Sequence, residues 1–185
     1  MIDNITDKQL FKRIRDADSV AVDIFINTLH QPYVGFLSKI INPEDARDVA
    51  QETYLKMLKR FHRFSNLNHA RRFLYKAGYR KAIDFFRKTK RRNRFIQQVQ
   101  DKHNPHIIHD NLAIDTHDLL NAVNTLTVKQ KAVVMLRVQQ DLSYREIAGR
   151  LGIPTGTALY RMHCALRKLR EYFDKEPVVN GDDKP

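Results

Sequence analysis

Between Arg71 and Arg94 stand eleven basic residues, at positions 71, 72, 76, 80, 81, 87, 88, 90, 91, 92 and 94, against a single acid, Asp84. Charge of one sign at that density suits the binding of an anion rather than proton transfer. Lys and Arg side chains neutralise phosphates and release the counterions condensed on them. An enzyme acting on nucleic acid needs clustered carboxylates for a metal, or a nucleophile beside its base. Neither is here: Asp84 stands alone among bases, and Asp48 and Glu52 share a helix face without a nearby histidine. His103, His106 and His109 have a spacing that invites a metal, but Pro105 interrupts the helix that would align them. A solvated segment is expected there, so the chain reads as no enzyme, with no metal and no cofactor. Cys164 is the only cysteine, which rules out an internal disulfide and leaves a small packing residue as the expectation.

The elements that carry these residues follow from periodicity. At 100° per residue, a helix over about His69–Lys90 puts Tyr75, Tyr79, Ala82, Ile83 and Phe86 on one arc. Lys76, Arg80, Asp84, Arg87, Lys88 and Arg91 fall on the opposite arc. The helix is thus expected to pack through its aromatic side and present a cationic ridge to a phosphate backbone. Phe73 and Phe85 lie off the buried arc and are the candidates to stack on unpaired bases. Upstream, a helix over Asp7–Leu29 is expected to break around Asp16–Asp18, and a second to run from Pro32 to Ile40. Asn42-Pro43-Glu44-Asp45 is a strong helix start, with a capping Asn, a Pro for the first turn and two acids facing the positive end of the dipole. That helix is read as continuing to about Arg63, with Val49, Ala50, Thr53, Met57 and Phe61 buried and Asp48, Glu52, Leu55 and Lys59 exposed.

A second group of signals lies further on. Thr127-x-x-Gln130 and Ser143-x-x-Glu146 are capping boxes. After Ser143, Ile147, Ala148 and Leu151 make the packing face of a short helix, Gly152 the turn, and Ile153 a core plug. Pro154-Thr155 starts another helix that runs to about Phe173. This is a helix-turn-helix over residues 143–163, in which the start of the second helix enters the major groove. Thr155, Thr157, Leu159, Tyr160 and Arg161 are the candidate DNA contacts, and Met162, Ala165, Leu166 and Leu169 are read as core. The fold class is therefore all-α: two small helical domains joined by a flexible linker, the C-terminal one a helix-turn-helix. The boundaries fall at 1–94, a linker at 95–117, 118–176 and a disordered tail at 177–185.

Composition agrees. The 33 Lys and Arg outnumber the 21 Asp and Glu, for a net charge of +12, and a surplus of that size points to a nucleic-acid partner. No apolar run approaches the roughly 18 residues a membrane span requires. The opening Met1-Ile2-Asp3-Asn4 lacks a signal peptide's basic and apolar regions. A cytoplasmic protein without membrane insertion is expected.

Three segments, PEDARDVAQETYLKML, RRFLYKAGYRKAIDFFRKTKRR and LSYREIAGRLGIPTGTALYRMHCALRKLRE, resemble in order and spacing the extracytoplasmic-function (ECF) RNA polymerase sigma factors, from about Phe25 to Tyr172. The resemblance implies an alternative sigma factor whose partners are core RNA polymerase and promoter DNA. Members of the family are often held inactive by an anti-sigma factor, which adds one to the partners it admits. It implies that the first domain is sigma region 2, whose Asp48, Gln51, Glu52 and Leu55 dock on the polymerase clamp helices. The ridge with Phe73, Lys76, Arg80, Asp84, Arg87, Lys88 and Arg91 would then capture and melt the minus-ten element. The second domain, as region 4, would read the minus-thirty-five element. Phe73 and Arg80 stand near positions where the family usually has Trp and Asn, and Arg80 moves that site toward phosphate contact. Pro154 replaces a common capping Ser, and Leu159 and Cys164 stand where basic residues are common. A stand-alone helix-turn-helix regulator is the alternative reading; the basic ridge in the other domain speaks against it.

Overall fold

In a computed structural model, the described residues are 5–99 and 114–174, with side chains described for 5–89, 91 and 118–174. All regular structure among them is helical. The histidine trio, most of the expected linker and the C-terminal tail lie outside the described residues.

The first domain holds α1 (Asp7–Arg15), α2 (Ser19–Ser38), α3 (Pro43–Lys59), a 3-10 turn at Phe61–Arg63 and α4 (Leu67–Val99). Thr6 and Gln9 form a capping box at the start of α1, a pair the sequence reading passed over. The break near Asp16–Asp18 is present: Ala17 turns with φ 60°, and Asp18 caps α2 while holding Arg13 at 2.7 Å. A second break is absent, because α2 runs without interruption through Pro32. Ala21, Phe25, Leu29, Tyr33, Phe36 and Leu37 form one continuous buried stripe across it. That stripe outweighs the hydrogen bond that a mid-helix proline removes. Helix α3 is capped by Asn42, as its sequence implies, and ends at Lys59 in the 3-10 turn that tucks Phe61 into the core.

Rings dominate this interior. Tyr33 meets Tyr54 and Tyr75 edge-on at centroid distances of 5.5 and 5.0 Å, and Phe61 meets Phe25 and Phe64 similarly. The buried Tyr33 hydroxyl lies 2.8 Å from Thr53 Oγ1 and 3.1 Å from the Leu74 carbonyl oxygen, so its desolvated polar atom is satisfied. It occupies a notch in α4 that only glycine leaves open. A Cβ at Gly78 would stand 2.0 Å from the Tyr33 oxygen.

The second domain holds α5 (Ile114–Asn124), α6 (Val128–Gln140), α7 (Tyr144–Leu151) and α8 (Thr155–Phe173). Both expected capping boxes are formed, Thr127 with Gln130 and Ser143 with Glu146. Gly152 ends α7 with φ 66°, and the Ile153 N–H donates to the Ala148 carbonyl at 3.0 Å. That left-handed position is where an L side chain is strained. The core here is aliphatic and small. Ala148 and Ala158 are buried beside Ile147, Leu151 and Leu136, which lets α6, α7 and α8 cross closely. Met162 and Ala165 join it, whereas Leu166 is 48% exposed and belongs to the surface rather than the core.

The domains are in contact. Helices α6 and α7 lie against α4, and α6 also touches α2. The seam combines side chains that the sequence reading had assigned to other surfaces, Lys76 and Arg161, with two it had not singled out, Gln140 and Arg150.

Candidate nucleic-acid and polymerase interfaces

Three surfaces carry the residues singled out from the sequence. The first is the outer side of α3. Asp48, Gln51 and Glu52 are exposed, and Leu55 is 53% exposed among them, an apolar spot rimmed by polar groups. Glu52 is held by Lys56 at 2.8 Å and by Lys81 of α4. These two ammonium groups keep its carboxyl below the ordinary carboxylate range. The face therefore offers an exposed carboxylate at Asp48, a paired one at Glu52, and a leucine for a partner to cover.

The second surface is the α4 ridge. Arg80, Asp84, Arg87, Lys88 and Arg91 are all exposed along it. Arg87 lies 3.5 Å from Asp84, an exposed pair of small energetic value that leaves the ridge's charge available. Two aromatic expectations need correction. Phe73 is half-buried, its ring 5.2 Å from that of Phe64 with the Arg60 guanidinium 6.0 Å away. Phe85 is half-buried against the core. The open ring is Phe86, 44% exposed, which the 100° wheel had placed inside. The wheel follows a straight isolated helix, while in the folded chain the neighbouring helices decide which side of α4 is covered. Lys76 also differs from its fellow cations: it is half-buried, with its stem beneath the turn of the second domain. A Cβ at Gly152 would lie 2.6 Å from Lys76 Cε.

The third surface is the start of α8. Pro154 caps it through its carbonyl, which accepts from the Thr157 and Ala158 N–H groups. Thr155 is exposed, Thr157 half-buried, and Leu159 and Tyr160 stand 47% and 69% exposed. Arg161 does not join this open face. Its Nη1 donates to the Tyr79 hydroxyl of α4 at 3.0 Å. Burial raises the pKa of Tyr79 while Arg161 opposes the rise, so the phenol stays neutral beside its guanidinium.

Missed altogether was the cluster where α6 and α7 meet α4. The Arg150 guanidinium sits 4.7 Å from the centre of the Tyr75 ring and donates to Gln140 Oε1. Gln140 Nε2 in turn donates to Tyr75 Oη at 2.8 Å. No local pattern announces this contact, since Tyr75 and Gln140 are 65 positions apart. Among the described residues no group of His, Cys, Asp and Glu could hold a metal ion, and no helix is long and apolar enough to cross a membrane.

Two helical domains, one with a basic ridge and one with a helix-turn-helix, define the class as that of DNA-binding transcription factors. Comparison with known proteins specifies the kind. Sigma-70 region 2 matches residues 25–92 and Sigma-70 region 4 matches residues 116–169. RNA polymerase sigma factor SigV of Bacillus subtilis is 31% identical over 148 residues, covering 76% of this chain and 83% of SigV. ECF RNA polymerase sigma factor SigX of the same organism is 27% identical over 160 residues, 82% of each chain. The sigma factor RpoE of Bartonella quintana, solved in complex with the anti-sigma factor NepR, shares the fold with a TM-score of 0.60. It is 21% identical, and the match covers 82% of this chain and 96% of RpoE. The chain belongs to the extracytoplasmic-function RNA polymerase sigma factors, and its function is that of an alternative sigma factor.

Proposed function

We propose that the outer side of α3, with Asp48, Gln51, Glu52 and Leu55, docks on core RNA polymerase and brings two DNA-reading surfaces to a promoter. The α4 ridge, with Arg80, Asp84, Arg87, Lys88 and Arg91, engages the minus-ten element as its strands separate. Phe86 supplies the stacking ring there, with the half-buried Phe73 and Lys76 nearer the start of α4. Thr155, Thr157, Leu159 and Tyr160 at the start of α8 face the minus-thirty-five element, and Arg161 joins them when it leaves Tyr79. Two modest DNA contacts on one tether reinforce each other through effective concentration. Helix α4 extends to Val99, past residue 95 where the linker was expected to begin. The chain performs no chemistry of its own and works in the cytoplasm, where polymerase is. A partner of the anti-sigma kind fits it as well, since the RpoE of similar fold is solved with one.

The observation that carries this reading is a basic ridge on one domain and a helix-turn-helix on the other, in a single chain. A stand-alone regulator has no use for the first. The test is transcription from a genomic fragment library with purified core polymerase. Start sites should appear only when the chain is added, and Arg87→Ala with Lys88→Ala should weaken promoter opening. The same change should reduce the slope of log K against log salt by about one to two units. Failure of the chain to associate with core enzyme would overturn the proposal.

A further inference from the structure

The first half of α8 is poor in charge and carries exposed apolar surface. Arg161 is the one Lys or Arg between Thr155 and His163, and Arg167, Lys168 and Arg170 follow only in the second half of the helix. Leu159 is 47% exposed and Tyr160 69% exposed. We propose that Leu159 and Tyr160 are specificity-determining residues that read thymine through its C5-methyl group, where a guanidinium would read guanine. The proposal rests on the sigma-factor reading for which element is read, and goes beyond it in naming the base and the side chains that recognise it.

Residues three and four apart share one side of a helix. That spacing puts Gly156, Leu159, Tyr160 and His163 together, and all four are exposed. Ala158, Met162 and Ala165 take the opposite, buried side, so the exposed four face away from the core of their domain. The N-terminal turns of a recognition helix are those that reach base edges, and these hold Leu159 and Tyr160. Gly156 adds no bulk there. A Cβ at that position would meet nothing within 4 Å, so packing does not demand glycine, and its bare backbone lets the helix start come close to the groove floor. The Tyr160 hydroxyl is hydrogen-bonded with Cys164 one turn on, which leaves the ring as the surface it offers. Arg161 is half-buried and projects from the flank toward Tyr79. From that flank a guanidinium meets phosphates, which position a protein without specifying sequence. In the major groove guanine presents O6 and N7 to Arg or Lys, whereas thymine presents a methyl group to apolar side chains. An outward side built from an aliphatic chain and an aromatic ring matches thymine.

Deleting the methyl group from the DNA tests this on the full-length chain. Randomised duplexes are selected for binding by the chain, free at low salt and, separately, as polymerase holoenzyme. Each thymine of the selected element is then replaced singly by deoxyuridine, which removes only the C5-methyl. Replacement at one or two positions should weaken binding by about threefold to fivefold each, the factor that one buried methyl carries. Leu159→Ala should abolish the response at one of these thymines and Tyr160→Ala at another, while Tyr160→Phe, which keeps the ring, should retain it. Both side chains are exposed, so helicity by circular dichroism should not change. Arg161→Ala should weaken thymine and uracil duplexes equally and reduce the salt slope by about one. Uracil replacements that are neutral at every position, or a response that survives both alanine variants, would overturn the proposal. Transcription by the wild-type holoenzyme is read separately: its absence defeats the sigma reading, while the response of the free chain to uracil still reports on α8.

Discussion

The interior of the first domain and the seam between the domains both converge on α4, and they are built from opposite materials. Inside, Tyr33, Phe36, Tyr54 and Tyr75 interlock as rings, and the central hydroxyl of Tyr33 fills a notch shaped for it at Gly78. At the seam the same helix meets guanidinium groups, an amide and a glycine turn. Tyr75 belongs to both, its ring face toward Arg150 and its other side packed on Tyr33 and Phe36. Buried apolar area stabilises without regard to ionic conditions, whereas contacts among charged and polar groups respond to whatever anion is present. One side of Tyr75 is thus part of an apolar core, and the other meets a guanidinium and an amide.

That contrast can be broken at three places. The largest effect is expected at Gly78→Ala. Alanine favours a helix by about 1 kcal/mol over glycine, yet its methyl would collide with a Tyr33 ring that has nowhere to go. A net loss of about 1–3 kcal/mol should follow, read as a lower melting temperature by circular dichroism. A variant as stable as wild type would show that the notch is loose.

Gly152→Ala should act on the seam as well as on α7. Its left-handed φ costs about 1–2 kcal/mol for a residue with Cβ, and the methyl would drive Lys76 aside. Domain separation, seen as an increased radius of gyration in solution scattering, should accompany a modest fall in stability. Loss of stability with no change in radius would place the glycine's role in the turn alone.

The smallest effect is expected from acidification. Glu52 ties α3 to α4 through Lys81, and its folded-state pKa is lowered by Lys56 and Lys81. A depressed carboxyl contributes stability above its unfolded value of 4.5, and that contribution disappears as pH falls through the lower folded value. Because Glu52 is largely exposed, solvent screens the pair. A slight loss of stability should appear below pH 4.5 in the wild type and be reduced in Glu52→Gln. The seam, with no carboxylate among its direct contacts, should hold its dimensions through the same acid range while the fold persists. Opening with the same midpoint would identify an acid at the seam.

Much of the fold was legible because it is decided within a turn or two of chain. Asn42, Thr127 with Gln130 and Ser143 with Glu146 cap helices by reaching N–H groups three residues away. Gly152 ends a helix because a left-handed turn there favours glycine. The ridge from Arg80 to Arg91 is exposed because its apolar partners recur with the helical period, and the three resembling segments identified the family on the same local footing. Other decisions required the assembled chain. Pro32 stays inside a helix because a buried stripe on both sides of it holds α2 straight. Phe86 opens while Phe73 and Phe85 tuck in because neighbouring helices cover the wheel unevenly. Lys76 and Arg161, expected among the DNA contacts, turn instead to the seam, where the Tyr79–Arg161 bond spans 82 positions. Sequence determined most of the elements whose energy lies between near neighbours, the Thr6–Gln9 capping box being one that was passed over. The tertiary structure alone decided the partners of side chains on surfaces that two domains share, because that energy depends on groups no local period brings together.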